Sequence, residues 1–217
     1  VNAFLIQHSE LGAHLIDAGL DSSFVDHPYG VMKGLFVKSF LAVGSQEPGT
    51  HIAAVLERHG IELQSVWMTH LHFDHTAGIV DLPKDIQYHV GENERYANFR
   101  FFMQSDHLEG IEKLLEFDFE QGIDLPPFGK SIDIFGDGSF WAISSSGHSP
   151  GHVMYFINGI DQQVLVTGDA CNTQLQFDTD VGPGYYSSDL EGGQIVLEQI
   201  IAFKELYPDV ILFFGHD

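Results

Sequence analysis

Cysteine is almost missing from this chain: Cys171 stands alone in 217 residues. A single thiol excludes an intrachain disulfide framework and agrees with a reducing cytoplasm, the expected location. Basic residues are nearly as scarce, with nine Lys and Arg against 31 Asp and Glu and a formal charge of −22. Nucleic-acid affinity rests on neutralising phosphates, and the few cations form no cluster in sequence, so that class of partner is excluded. No apolar run approaches the roughly 20 residues that cross a bilayer, which removes a membrane-spanning role. Internal repeats and low-complexity linkers are also lacking. What remains is one domain, residues 1–217, of a size that supports a layered core.

Histidine, by contrast, is abundant: 13 residues, more than lysine and arginine together. Three of them crowd into WMTHLHFDHTAG, at His70, His72 and His75, with Asp74 between the last two. The surrounding pattern alternates strands and helices. Val1–Gln7, His14–Asp17, Leu35–Val43, Ser65–Thr69, Asp85–Val90, Phe140–Ser144, Val153–Ile157, Gln163–Thr167 and Val210–Phe214 read as strands. His51–His59 reads as a helix capped by Thr50 and ended by Gly60. Gly91–Asn98 and Ser105–Glu116 are further helix candidates. Ser188-Asp189-Leu190-Glu191 has the form of a capping box opening a helix to about Leu206. The fold class is therefore α/β with at least two groups of strands.

His70 and His72 lie two apart where a strand runs out, so an extended backbone points both the same way. Asp74 and His75 follow once the chain begins to turn and can face a second point. His148 in SSGHSPGH, Asp169 in VLVTGDA and His216 in ILFFGHD also end strands, and strand ends converge on one crevice in α/β layers. A lone histidine after a strand is usually an ordinary surface residue; this ordered set is not. Five imidazoles and two carboxylates suit zinc, with manganese, iron or cobalt accepted by the same donors, and suit calcium or magnesium badly. Seven donors are too many for one tetrahedral ion and about right for two divalent ions.

His70-x-His72-x-Asp74-His75 followed by His148, Asp169 and His216 resembles the dinuclear metallo-β-lactamase superfamily, and the likeness runs from Val1 to Asp217. The resemblance implies an αββα sandwich, two mixed β-sheets flanked by helices. It implies that His70, His72 and His148 bind one ion, that Asp74, His75 and His216 bind the other, and that Asp169 bridges them. Asp17 in LIDAG matches the superfamily's early aspartate, which supports the metal loop. Histidine at position 72, where flavodiiron relatives carry glutamate, argues against an oxygen reductase. Aspartate at 169 argues against a β-lactamase proper. Cys171 is expected to be a packed small residue and Trp67 a core residue.

THLHFDH, GHSPGH and FFGHD are similar to the N-acyl-homoserine lactonase branch. That likeness implies a small-molecule substrate, a lactone or ester opened by water activated on the ions, and a homodimer. Asp74 would shuttle the proton to the leaving group. The branch carries a tyrosine where this chain has Asn172, so Asn172 becomes the candidate donor to the substrate carbonyl, with Tyr185 or Tyr186 as substitutes. Phe99, Phe101, Phe102 and Met103, and the loop Phe24–Phe36, are candidate pocket walls. Two other activities remain open: a glyoxalase II-like thioesterase on the same ligands, short here of basic residues for glutathione carboxylates, and a mononuclear-iron persulfide dioxygenase, which would leave His75 and His216 unligated.

Overall fold

The computed structural model describes residues 2–34, 37–40, 44–94, 107–184 and 186–217. The chain divides into two compact units, Val1–His89 with Tyr96–Leu115, and Val90–Arg95 with Glu116–Asp217.

The first unit is built on strands β1 (Phe4–His8), β2 (Gly12–Ile16), β3 (Leu63–Trp67), β4 (Gln87–Val90) and β5 (Lys113–Glu116), which hydrogen-bond in that order. The β1–β2 hairpin is antiparallel, whereas β2–β3 and β3–β4 are parallel, so the sheet is mixed. Parallel neighbours need a crossover. One such crossover holds helices α1 (Val37–Phe40) and α2 (Ile52–His59), and the next holds the short helix α3 (Phe73–Thr76). Gly60 ends α2 in the left-handed conformation, at φ 62°, as its position in sequence predicts. On β3, Leu63, Ser65 and Trp67 share one face while Val66 is buried on the other, and Trp67 stacks on His89 with ring centroids 3.8 Å apart. Trp67 is thus a core residue, as expected.

The second unit carries a six-stranded sheet in the order β11 (Ile211–Phe214), β10 (Gln163–Gly168), β9 (Val153–Asn158), β8 (Phe140–Ser144), β7 (Lys130–Asp133), β6 (Ile123–Asp124). All neighbours are antiparallel except β10 and β11, which are parallel and joined through α4 (Gln174–Thr179) and α5 (Leu190–Leu206). Ile143, Met154, Phe156 and Leu165 pack with Val196, Leu197, Ile200 and Phe203 of α5 in one apolar cluster. Phe203 sits between the rings of Phe128 and Phe156, at 4.9 and 5.4 Å. Burying each such side chain contributes about 1.5–3 kcal/mol. Cys171 belongs to this cluster, and burial pushes its thiol up to about 12, so it stays a neutral packing group.

Several sequence expectations give way. The expected strand Leu35–Val43 contains a helical turn at Val37–Phe40, with Val37 buried; the rest of that segment lies outside the described residues. Residues 91–94 form a turn rather than the start of a helix, and 95–98 lie outside the described residues. Of the expected helix Ser105–Glu116, residues 105–106 lie outside the described residues, and the remainder holds a turn over 107–110 and strand β5, because pairing beside β4 overrides the helix propensity of Leu114 and Leu115. Asp189, not Ser188, caps α5 by accepting from the Gly192 N–H, while Ser188 donates to the Gly147 carbonyl. Thr50 does not cap α2; its hydroxyl bonds to the Glu47 carbonyl. No helix among the described residues is long and apolar enough to cross a membrane.

Candidate metal centre

The first cluster grows from the carboxyl ends of β2 and β3. Asp17 follows Ile16 directly and is held in a left-handed conformation, φ 54°, by its backbone N–H bond to the Trp67 carbonyl, 3.0 Å. Its buried carboxylate then accepts three bonds of 2.7 Å each, from the Thr69 N–H, the Thr69 hydroxyl and His75 Nδ1. A carboxylate only accepts, so His75 carries its proton on Nδ1 and presents a lone pair at Nε2. The Thr69 proton is committed to Asp17. Its oxygen therefore accepts from His70 Nδ1 at 3.1 Å, and His70 too presents a lone pair at Nε2. Asp17 thus sets the tautomer of two histidines, one directly and one through Thr69.

His72 occupies the N-cap position of α3 in extended conformation, and its Nδ1 lies 3.0 Å from His70 Nε2. Two imidazole nitrogens facing each other at that distance repel unless a proton or a cation is shared between them. Asp74 and His75 follow on the first turn of α3, with His75 Nε2 3.9 Å from Asp74 Oδ2 and the His70 and His75 ring centroids 4.2 Å apart. The first unit therefore assembles all four predicted residues of the histidine-rich motif. His70 and His75 are buried and Asp74 is partly open.

The second cluster gathers three predicted residues from loops that follow β8, β10 and β11. Asp169 Oδ2 faces His148 Nε2 at 3.3 Å and His216 Nε2 at 3.2 Å. Gly215 makes this approach achievable: a Cβ there would stand 2.3 Å from Asp169 Oδ1. Asn172 adjoins the cluster through its backbone, its carbonyl accepting from the His216 N–H at 2.8 Å. Its N–H donates to Gln176 Oε1 at 2.7 Å, and its own Oδ1 is buried. Tyr186 is 78% exposed, while Tyr185 and the aromatic insert at Phe99, Phe101, Phe102 and Met103 lie outside the described residues.

Sequence reasoning missed His152, the second histidine of GHSPGH. It is buried, its Nδ1 bonds to Ser145 Oγ at 2.7 Å, and its Nε2 accepts the Asp169 backbone N–H at 3.1 Å. It fixes the chain at Asp169 rather than offering a ligand atom. The repeat of His after Gly within one strand-to-strand loop was the available signal.

These donors fit a borderline divalent ion. Imidazoles whose outer nitrogens are fixed by hydrogen bonds, and a carboxylate oxygen shared by two imidazoles, are the groups that bind such ions with oriented lone pairs.

The family model described as "Metallo-beta-lactamase superfamily" matches residues 1–216. The chain belongs to the metallo-β-lactamase superfamily. A solved member, an N-acyl homoserine lactone hydrolase with N-hexanoyl-L-homoserine bound at its catalytic metal centre, superposes with a TM-score of 0.76 at 23% identity. That match covers 99% of this chain and 80% of the solved one, which establishes the expected fold, two mixed sheets with flanking helices. Among curated superfamily relatives, the γ-lactamase FDB1 of Fusarium pseudograminearum is 29% identical over 70% of this chain and 39% of its own. N-acyl homoserine lactonase AttM of Agrobacterium fabrum is 24% identical over 99% of this chain and 80% of its own. Hydroxyacylglutathione hydrolase of Shewanella oneidensis is 26% identical over 48% of this chain and 34% of its own. The chain spans less than half the length of the first curated relatives it matches.

Proposed function

We propose that residues 1–217 form one catalytic domain, a dinuclear-metal hydrolase that opens a lactone or related ester, with an N-acyl-homoserine lactone as the leading substrate. His70, His72 and His148 would hold one ion, Asp74, His75 and His216 the other, and Asp169 would be shared. The observation that carries this reading is the Asp17 carboxylate, which fixes the protons of His75 and, through Thr69, of His70 on Nδ1, the tautomer that leaves Nε2 for a metal.

When bound, the ions supply Lewis acidity and bring the pKa of water toward neutrality. The chain's own residues do the rest. Asp74, which is partly open, would hold the ion through one oxygen and could take a proton at the other and return it to the leaving alkoxide. The Asn172 side-chain amide would donate a hydrogen bond to the substrate carbonyl. Nine basic residues against 31 acidic ones leave few anchors for the glutathione carboxylates, which favours a lactone or ester over that thioester.

Zinc-loaded protein assayed against a panel of acyl-homoserine lactones, simple γ-lactones, aryl esters, γ-lactams and glutathione thioesters tests the reading. Lactones are expected to be turned over fastest. Turnover of thioesters alone would refute it.

A further inference from the structure

His148 sits in the loop between β8 and β9. Its neighbours are Gly147, Ser149, Pro150 and Gly151, and the loop must hold an imidazole against Asp169 at 3.3 Å. Bonds within the loop, such as that from the Gly147 N–H to the Ser149 carbonyl at 3.2 Å, shape it, and bonds from outside anchor it. Part of the hold comes from the segment before α5, where the Ser188 N–H donates to the His148 carbonyl at 3.0 Å. The Asp189 N–H and the Ser188 hydroxyl bond to the Gly147 carbonyl at 2.9 and 3.0 Å, and Ser187 Oγ lies 3.4 Å from His148 Nδ1. A further hold, on the far side of His148, comes from an acidic side chain that no metal role claims.

Glu94 is 8% exposed, in a turn 54 residues ahead of His148 in sequence. Its Oε2 accepts two bonds from the loop, from the Ser149 hydroxyl at 2.7 Å and the Gly151 N–H at 2.8 Å. One carboxylate oxygen therefore grips the residues one and three positions beyond His148. The approach is exacting. A Cβ on Gly151 would stand 2.5 Å from the Glu94 nitrogen, and a Cβ on Gly91 would stand 1.8 Å from the Gly151 carbonyl oxygen. The Glu94 N–H in turn bonds to the Gly91 carbonyl at 3.1 Å, which closes the turn that carries the carboxylate. Burying a carboxylate is costly unless charge-assisted bonds offset it. In a chain of formal charge −22, a further negative charge has no general use. A buried one that directs two bonds at a single loop has a local use.

We propose that Glu94 is a positioning residue for His148: it sets the 147–151 loop so that the imidazole keeps its place in the ion site. This inference rests on the two-ion reading above. The bonds, not the charge, do the positioning, and Glu94→Gln tests that distinction directly. The glutamine side chain keeps an amide oxygen that can accept from both Ser149 and Gly151 while carrying no charge. Alanine can accept from neither.

The test is zinc affinity of the apo protein, measured by competition with a chromophoric chelator, alongside thermal unfolding of the apo forms. Glu94→Ala is expected to weaken one of the two zinc sites by about 10–100-fold, the range for losing a partner behind a ligand. Glu94→Gln is expected to stay within about threefold of the parent protein on the same scale. A smaller deletion, Ser149→Ala, removes one of the two bonds and keeps the carboxylate. It should weaken the same site by about fivefold, and it reads the proposal should Glu94→Ala prevent folding. Glu94→Ala or Ser149→Ala protein that melts earlier yet binds both ions at parental affinity would overturn the inference, leaving Glu94 a support of the fold alone. Equal losses in Glu94→Gln and Glu94→Ala would overturn it too, because charge would then be the cause. A parent protein that takes up no zinc would instead refute the two-ion reading, and the inference with it.

Discussion

Asp74 is partly open, on the first turn of α3 beside a buried His75. A residue that only bound metal would affect ion retention. A residue that also moves a proton should affect the chemical step when ions are still held. Asp74→Asn, assayed with saturating zinc, is expected to lower kcat by about 100-fold or more while KM moves by a few fold. An unchanged kcat would remove the shuttle role. The same scale shows what sequence could reveal of the site. His70, His72, Asp74 and His75 are legible because their meaning lies in spacing along one stretch, and His148, Asp169 and His216 because each follows a strand and adjoins a glycine. Their supporting partners are not legible that way. Glu94 reaches Ser149 across 55 residues and His152 reaches Asp169 across 17, and nothing local marks either contact.

Among the elements, those that bury an apolar face were predictable and those set by pairing were not. The strands β8, β9 and β10 and the helix α5 carry enough periodic apolar residues to announce themselves. β5 does not, since all four of its residues are exposed and its conformation comes from the neighbouring strand. The short helical turn Ala77–Asp81 that follows α3 is equally beyond periodicity. The β2–β3–β4 row also carries a titratable feature. His89 stacks on Trp67, and His14 Nδ1 bonds to Ser65 Oγ at 2.8 Å on the adjacent strands. Burial, then the nearby His14, lowers His89 to about 4, and burial lowers His14 as well. A histidine whose folded pKa lies below its unfolded value of about 6.5 binds more protons when unfolded. Its contribution is full above about pH 6.5 and is lost as pH falls toward 4. Urea unfolding followed by circular dichroism should therefore show stability falling more steeply between about pH 7 and pH 4 in the parent protein than in His89→Gln. Parallel pH profiles would show that His89 does not titrate in that way.

At the scale of the whole molecule, the composition confines the chemistry before any motif is consulted. A formal charge of −22 with 13 histidines describes a protein poor in anion-binding groups and rich in groups that bind cations. Superfamily membership over residues 1–216 and a shared fold with solved lactone hydrolases agree with that balance. Each unit brings its own share of donors together at the carboxyl ends of its strands, four in the first and three in the second. The two-ion reading makes a definite demand on stoichiometry, and it separates a hydrolase from a dioxygenase that uses a single iron. Elemental analysis of purified protein, repeated after stripping with a chelator and titration with zinc while lactone opening is followed, tests it most directly. Two divalent ions per chain are predicted, with activity lost on stripping and restored as the second equivalent is added. One iron per chain, with no lactone opening at any zinc loading, would contradict it.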